Sequence, residues 1–155
     1  MLKTSLIIPA WNAENTIEDC LLSAIKAKSS PNEIVVVDDV STDNTVNIVN
    51  KLAKEYSKIK LLRLDKNVGP AGARDYGAKF AFGEIFFFTD SDTLILDFTF
   101  INCLNTMKKY KADAVSGIYH PEPINKGIAQ LYKALFFYYQ FARHKKPFAY
   151  ETFNG

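Results

Sequence analysis

Glu33-Ile-Val-Val-Val37 constrains this chain most, because an unbroken β-branched run suits an extended strand buried on both faces and little else. It stops on two carboxylates, Asp38 and Asp39. Similar short apolar runs recur: Ser5-Leu-Ile-Ile-Pro9, Ile59-Lys-Leu-Leu-Arg63 and Ile85-Phe-Phe-Phe88. The last is also expected to be buried on both faces. Between them lie segments of helical period, with Ile17, Leu21, Ala24 and Ile25 on one face, then Val46, Val49, Leu52, Ala53 and Tyr56. Ser41 or Thr42 is the expected cap of that second helix. Asn67-Val-Gly-Pro-Ala-Gly72 reads as a turn-rich loop leading into a helix that holds Arg74, Ala78, Ala81 and Phe82, with Gly83 as its C-cap. Alternation of this kind predicts an α/β fold: a Rossmann-like three-layer sandwich with a mainly parallel sheet and right-handed crossovers.

Further along, Phe100, Leu104 and Met107 mark another helical face, and Ala112 to Tyr119 reads as a further strand. Pro121-Glu122-Pro123 interrupts regular structure before an aromatic helix from Ile128 to Arg143. The chain, 155 residues long, is read as one domain, with a nucleotide-binding core over 1–119 and the start of an acceptor region over 120–155. A net charge of +2 without a dense basic block argues against nucleic acid. Cys20 and Cys103 fall on helices without metal-ligand spacing, as expected of reduced buried thiols. The segment before Pro9 is too short for a signal-peptide core, and no run is long enough to span a bilayer. A cytoplasmic protein is expected. The aromatic helix, carrying Leu131, Leu135, Phe136, Phe137, Tyr138, Tyr139 and Phe141, is either buried or lies at the inner face of the membrane with Lys145 and Lys146 near headgroups.

In open parallel sheets, ligands gather at the carboxyl ends of strands. Three such ends carry notable residues: Pro9-Ala10-Trp11, Asp38-Asp39 and Asp90-Ser91-Asp92. Asp39 can accept a hydrogen bond from a base edge, and Trp11 offers a stacking surface. Asp92 with Asp90 can hold Mg²⁺ or Mn²⁺ through oxygen and bridge a diphosphate, while Arg74 suits phosphate oxygens. The chemistry this permits is departure of a nucleoside diphosphate. Each feature also has a plain structural reading, Asp38-Asp39 as solvated loop acids, Gly69 and Gly72 as turn residues, Arg74 as a surface ion-pair partner and Trp11 as core. His120 and His144 have no partners at catalytic spacing.

Taken in order, Ser5-Leu-Ile-Ile-Pro-Ala-Trp-Asn12, Ile34-Val-Val-Val-Asp-Asp-Val-Ser-Thr-Asp43, Asn67-Val-Gly-Pro-Ala-Gly-Ala-Arg74 and Gly83-Glu-Ile-Phe-Phe-Phe-Thr-Asp-Ser-Asp92 closely resemble the inverting glycosyltransferases of family 2, which have the A-type nucleotide-sugar fold. The resemblance covers about the first hundred residues. It implies a nucleotide-sugar donor, UDP-linked in the commonest case, and a glycan or lipid-linked acceptor. It implies that Pro9, Ala10, Trp11 and Asp39 line the base and ribose site, with Asp38, Gly72, Ser91 and Asp90 in the same nucleotide-binding motifs. Arg74 is implied near the base or phosphates, and Asp92, helped by Asp90, as ligand to Mn²⁺ or Mg²⁺. Val40 stands where the family usually has glycine, and Asp75 where asparagine usually follows the arginine. The family's catalytic base lies well downstream of the metal motif and is expected beyond Gly155. Glu122 and Glu151, the remaining downstream carboxylates of that type, are outside the expected motif context. A rival reading is a truncated or inactive nucleotide-sugar-binding module. A sugar-nucleotide pyrophosphorylase would need a glycine-rich loop after the first strand, and a phosphoacceptor receiver domain would need its acid pair there.

Overall fold

The computed structural model describes residues 2–117, 120 and 127–142. The chain divides into two units at Asn105. The first holds a four-stranded, wholly parallel sheet: β1 (Thr4–Ala10), β2 (Glu33–Asp38), β3 (Ile59–Arg63) and β4 (Ile85–Phe88), in the order β3-β2-β1-β4. Helices α1 (Ile17–Lys26), α2 (Thr45–Glu55) and α3 (Gly69–Phe80) alternate with the strands, and α4 (Thr99–Tyr110) follows β4. The expected α/β architecture is present.

The layers follow from strand alternation. Leu6, Ile8, Ile34 and Val36 point to one face, where Ile17, Cys20, Leu21 and Ala24 of α1, Val49 and Leu52 of α2 and Phe100 of α4 cover them. Ile7, Val35 and Val37 point to the other face, against Ala73 of α3. Every residue of β1 and β2 is therefore buried. Each fully buried Leu, Ile or Val contributes about 1.5–3 kcal/mol of transfer free energy, so these two strands dominate the core.

Strand β4 departs from expectation. It alternates half-buried and exposed positions, with Phe86 39% and Phe88 51% exposed. Register explains why: Phe86 and Phe88 lie beside Ser5 and Ile7, hence on the α3 face, but α3 packs over β1 and β2. Among the described residues β4 is an edge strand of the sheet, so its side chains are at best half-buried, Phe87 packing edge-on against Phe100 at 4.9 Å. No strand forms over the described part of the expected 112–119 element, residues 112–117. A strand requires a pairing edge, and none of the described strands pairs with this segment.

Two boundaries also shift. Helix α3 starts at Gly69, so residues 69–72 of the expected 67–72 loop are its first turn, and Pro70 near the start suits a position whose N–H has no helical partner. The helix ends at Phe80, leaving Ala81 and Phe82 outside it, and Gly83 is not its cap. Gly83 is instead pressed against β1: its N–H donates to Ser5 Oγ at 2.8 Å, and an added Cβ would sit 2.6 Å from the Ser5 nitrogen. At the same rim the buried Glu33 carboxylate accepts from Ser5 Oγ and from the Phe82 N–H, both at 2.5 Å.

In the second unit, α5 runs from Ile128 to Ala142. The expected Pro121–Pro123 break, Glu122, Arg143, His144, Lys145, Lys146 and Glu151 lie outside the described residues. Among the described residues no helix is long and apolar enough to cross a membrane.

Gly77 brings α3 onto the sheet, since an added Cβ would lie 2.7 Å from Ile7 Cγ2 and 2.9 Å from Val37 Cγ2. We expect Gly77→Ala to destabilise the protein by about 1–3 kcal/mol through overpacking, despite alanine's better helix propensity. Urea denaturation measures this as a lowered midpoint at unchanged slope.

Candidate functional site

Parallel pairing puts all four strand C-termini on one rim. The chain runs outward from β1 through β2 to β3, then returns through α3 to β4 on the far side of β1. The order reverses between β1 and β4, which is where a crevice opens in such sheets. Ala10 is paired with Asp38, and Phe88 lies beside Ile7, so Asp39 and Asp90 flank the end of β1 about two strand spacings apart, roughly 10 Å.

Asp38 and Asp39 have different partners. Asp38 is fully buried; its carboxylate accepts from Arg63 Nε and from the Ser41 N–H, each at 3.3 Å. Asp39, also buried, accepts from the Val68 and Gly69 N–H groups at 2.8 Å each, one per oxygen. Its own N–H donates to Ala10 O, and its carbonyl accepts from Asn67 Nδ2. A negative charge at the positive end of α3 is favourable, and Gly69, at φ 75°, supplies the turn that aims both amides at it. Asp39 therefore fastens the ends of β1, β2 and α3 to one another.

The loops after β1 and β2 are laced by side chains. Asn12, itself at φ 48°, donates its N–H to Ser41 Oγ and accepts the Thr42 N–H at Oδ1. Ala13 N–H donates to Thr45 Oγ1, Glu14 N–H to Asp43, and Asn44 N–H to Glu14. Ser41 and Thr42 are thus engaged with the neighbouring loop and do not cap α2. The N-cap is Asn44, whose side chain makes no cap bond, and one place earlier Asp43 accepts from the Thr45 N–H at 3.0 Å and its hydroxyl at 2.5 Å. Desolvation opposes ionisation of Asp43, yet the bonds from Thr45 and Glu14 prevail and lower its pKa. The cross-loop bonds had one visible signal, the density of Asn, Ser, Thr and Asp over 12–16 and 41–45. Trp11 stands clear of this lattice, 60% exposed at the rim rather than in the core.

At the end of β4 the acidic turn is held down by α1. Cys20 Sγ donates to the Asp90 carbonyl at 3.5 Å, the Thr93 N–H donates to that same oxygen, and Ser23 Oγ accepts the Ile95 N–H. Sequence reasoning missed Cys20 and Ser23, which look like ordinary helix residues. Burial first, and next the charge of Asp92, push the Cys20 thiol up to about 12. Arg74 reaches from α3 to pair with the Asp90 carboxylate, and both groups are solvent-accessible. Asp75 pairs with Lys79 one turn along, an exposed contact worth a few tenths of a kcal/mol. Gly72 sits in α3 with Val68 where a Cβ would go.

Among the described residues no group of three or more His, Cys, Asp or Glu side chains is gathered to hold a cation. Asp90 and Asp92 nonetheless supply hard oxygen donors. Mg²⁺ and Mn²⁺ are commonly held by one or two carboxylates completed by phosphate and water. The donor set fits a cation that arrives with a diphosphate.

Val40 adopts φ 66°, a region that is strained for a β-branched side chain. We expect Val40→Gly to raise stability by roughly 1 kcal/mol, relief of strain outweighing the added freedom of the unfolded chain; chemical denaturation reports the gain. For Cys20 the sign of the pH effect follows from proton counts. The unfolded thiol ionises near its ordinary value of 9, the folded one near 12, so between these values the unfolded chain binds fewer protons and stability falls as pH rises. In a Cys103→Ser background, alkylation of Cys20 at pH 9 is expected to proceed only through unfolding, with a rate that tracks denaturant concentration.

A family model described as "Glycosyl transferase family 2" matches residues 5–154. The poly(ribitol-phosphate) beta-glucosyltransferase of Bacillus spizizenii is 34% identical over 120 residues, 75% of this chain and 19% of that protein. The crystal structure of Staphylococcus aureus TarS 1-349 in complex with UDP-GlcNAc aligns with a TM-score of 0.65 at 33% identity, covering 81% of this chain and 39% of that one. The mannosyltransferase PcManGT from Pyrobaculum calidifontis, in complex with GDP-Man and Mn²⁺, aligns with a TM-score of 0.71 at 27% identity, covering 86% and 38%. The chain thus spans well under half the length of these relatives and shares the A-type glycosyltransferase fold with them. With a family model matched from Ser5 nearly to the end and a rim built from the same four motifs, this chain belongs to glycosyltransferase family 2.

Proposed function

We propose that this chain forms the donor-binding part of an inverting, metal-dependent glycosyltransferase that uses a nucleotide-diphospho-sugar, UDP-linked by preference. One observation carries the reading: the ends of β1, β2 and β4 bring Ala10, Asp39 and the 90–92 turn to one rim at the reversal of strand order. The UDP-GlcNAc and GDP-Man complexes of two relatives support a nucleotide-sugar ligand.

In this reading Trp11 stacks on the base while Pro9, Ala10 and Asp39 line the base and ribose, with Asp38 beneath holding Arg63 and the 38–41 loop. Gly72 and Ser91 border the nucleotide. Arg74 exchanges its carboxylate partner for a phosphate oxygen, to which a guanidinium is well matched. Asp92 and Asp90 would hold Mn²⁺ or Mg²⁺, which when bound neutralises charge on the departing diphosphate. In the transfer an acceptor hydroxyl oxygen attacks the anomeric carbon from the face opposite the diphosphate. The bond to the diphosphate breaks with its electron pair, and the hydroxyl proton passes to a general base. The acceptor is a glycan or lipid-linked glycan, met at the cytoplasmic side of the membrane.

Calorimetry tests this. UDP is expected to bind at least tenfold more tightly with Mn²⁺ than without, and Asp92→Ala to abolish that difference. Arg74→Gln is expected to weaken UDP roughly tenfold, the loss of one charge-assisted contact. Equal UDP affinity in the wild-type chain and Asp92→Ala, with Mn²⁺ present, would overturn the metal assignment.

A further inference from the structure

Residues 89–98, which carry both acids of the proposed cation site, form neither strand nor helix. A segment of this kind keeps a fixed course where its backbone groups find partners in a more rigid element. Helix α1 supplies such partners along its length. Cys20 Sγ donates to the Asp90 carbonyl at 3.5 Å, and Ser23 Oγ accepts the Ile95 N–H at 2.9 Å. Just past the helix, Lys28 N–H donates to the Asp97 carbonyl at 2.7 Å. Cys20 and Ser23 are three residues apart and so lie on one side of the helix.

The Ser23 hydroxyl is committed in both directions. Its proton goes to the Cys20 carbonyl at 2.7 Å, which leaves a lone pair for Ile95. The helix is in turn anchored on the sheet through the buried Ile17, Leu21 and Ala24. The two side-chain bonds bracket the acids: one holds the carbonyl of Asp90, the other an amide three positions after Asp92. Both carboxylates are exposed, so the course of the backbone beneath them decides where they point. A cation shared by two carboxylates needs them held to within about 0.5 Å of the productive arrangement.

We propose that Ser23 and Cys20 are positioning residues for the Asp90–Asp92 pair and set how tightly it takes a divalent cation. The inference rests on the reading of those acids as cation ligands. Neither Ser23 nor Cys20 is assigned a contact with nucleotide or metal.

Titration of Mn²⁺ at fixed UDP, followed by calorimetry, tests it. Ser23→Ala removes the acceptor of the Ile95 N–H, and the midpoint of its Mn²⁺ titration is expected to rise about tenfold, the usual cost of losing a group that orients a metal ligand. Adding Cys20→Ala is expected to raise it further. Ser23→Thr and Cys20→Ser, which keep a hydroxyl at each place, are expected to stay close to wild type. UDP affinity without Mn²⁺ is expected to hold its wild-type value in every variant, which shows that they are folded and separates placement of the acids from a general loss of structure. Amide exchange at Ile95 is expected to quicken in Ser23→Ala and not in Ser23→Thr. An unchanged Mn²⁺ midpoint in Ser23→Ala would overturn the proposal, as would an equal loss of UDP affinity with and without Mn²⁺. Wild-type protein whose UDP affinity ignores Mn²⁺ would strike the metal reading and this inference with it. A Mn²⁺ dependence that the alanine variants share in full would strike this inference alone.

Discussion

The Asp39 carboxylate, buried and bonded at 2.8 Å to two backbone amides of the α3 entry, is the contact on which the rim depends. A buried charge is costly unless its oxygens are satisfied. Here the strand end supplies the charge and the helix start supplies the donors, two segments that the chain separates by 29 and 30 positions. Removing the carboxylate would leave both amides without their acceptor and free the start of the helix that carries Arg74. The position of Arg74 and the end of β2 are consequently mechanically coupled through a single side chain.

The same logic recurs on the other side of β1. The 90–92 turn is clamped from below by Cys20 and Ser23 of α1, and from α3 by Arg74. The guanidinium of Arg74 is a counter-charge to Asp90. In the proposed reading Arg74 and a divalent ion would be rivals for one carboxylate, and a diphosphate that took up the arginine would resolve the competition. This gives a physical reason for nucleotide and metal to bind together in the proposed reaction.

Much of this was legible in the sequence. The strands and first four helices follow from β-branched runs and helical spacing, and the rim from where acids follow strands. What failed did so for identifiable reasons. Phe86 and Phe88 read as buried because apolarity does not reveal that α3 covers only β1 and β2. Gly83 read as a cap because a glycine required by a neighbouring backbone looks the same as one required by its own dihedral angles. Ser41 and Thr42 had the right chemistry for capping, but Asn12 outcompeted the helix for them. Val40 was visible as a departure from the family's glycine, and its positive φ supplies the physical meaning of that departure.

The pairing of Thr4 with Ile85 has a consequence for how the chain acquires this form. The first strand made is central, yet one of its two edges has no partner until four-fifths of the first hundred residues have been synthesised. Loop-closure entropy over such a separation makes this the slow step of assembly. Until β4 arrives, β1 presents a naked hydrogen-bonding edge beside strongly apolar side chains, the kind of surface through which nascent chains aggregate. Completing the acidic 90–92 turn and closing that vulnerable edge are one event, so a chain whose rim is complete is also one that has left its hazardous phase behind.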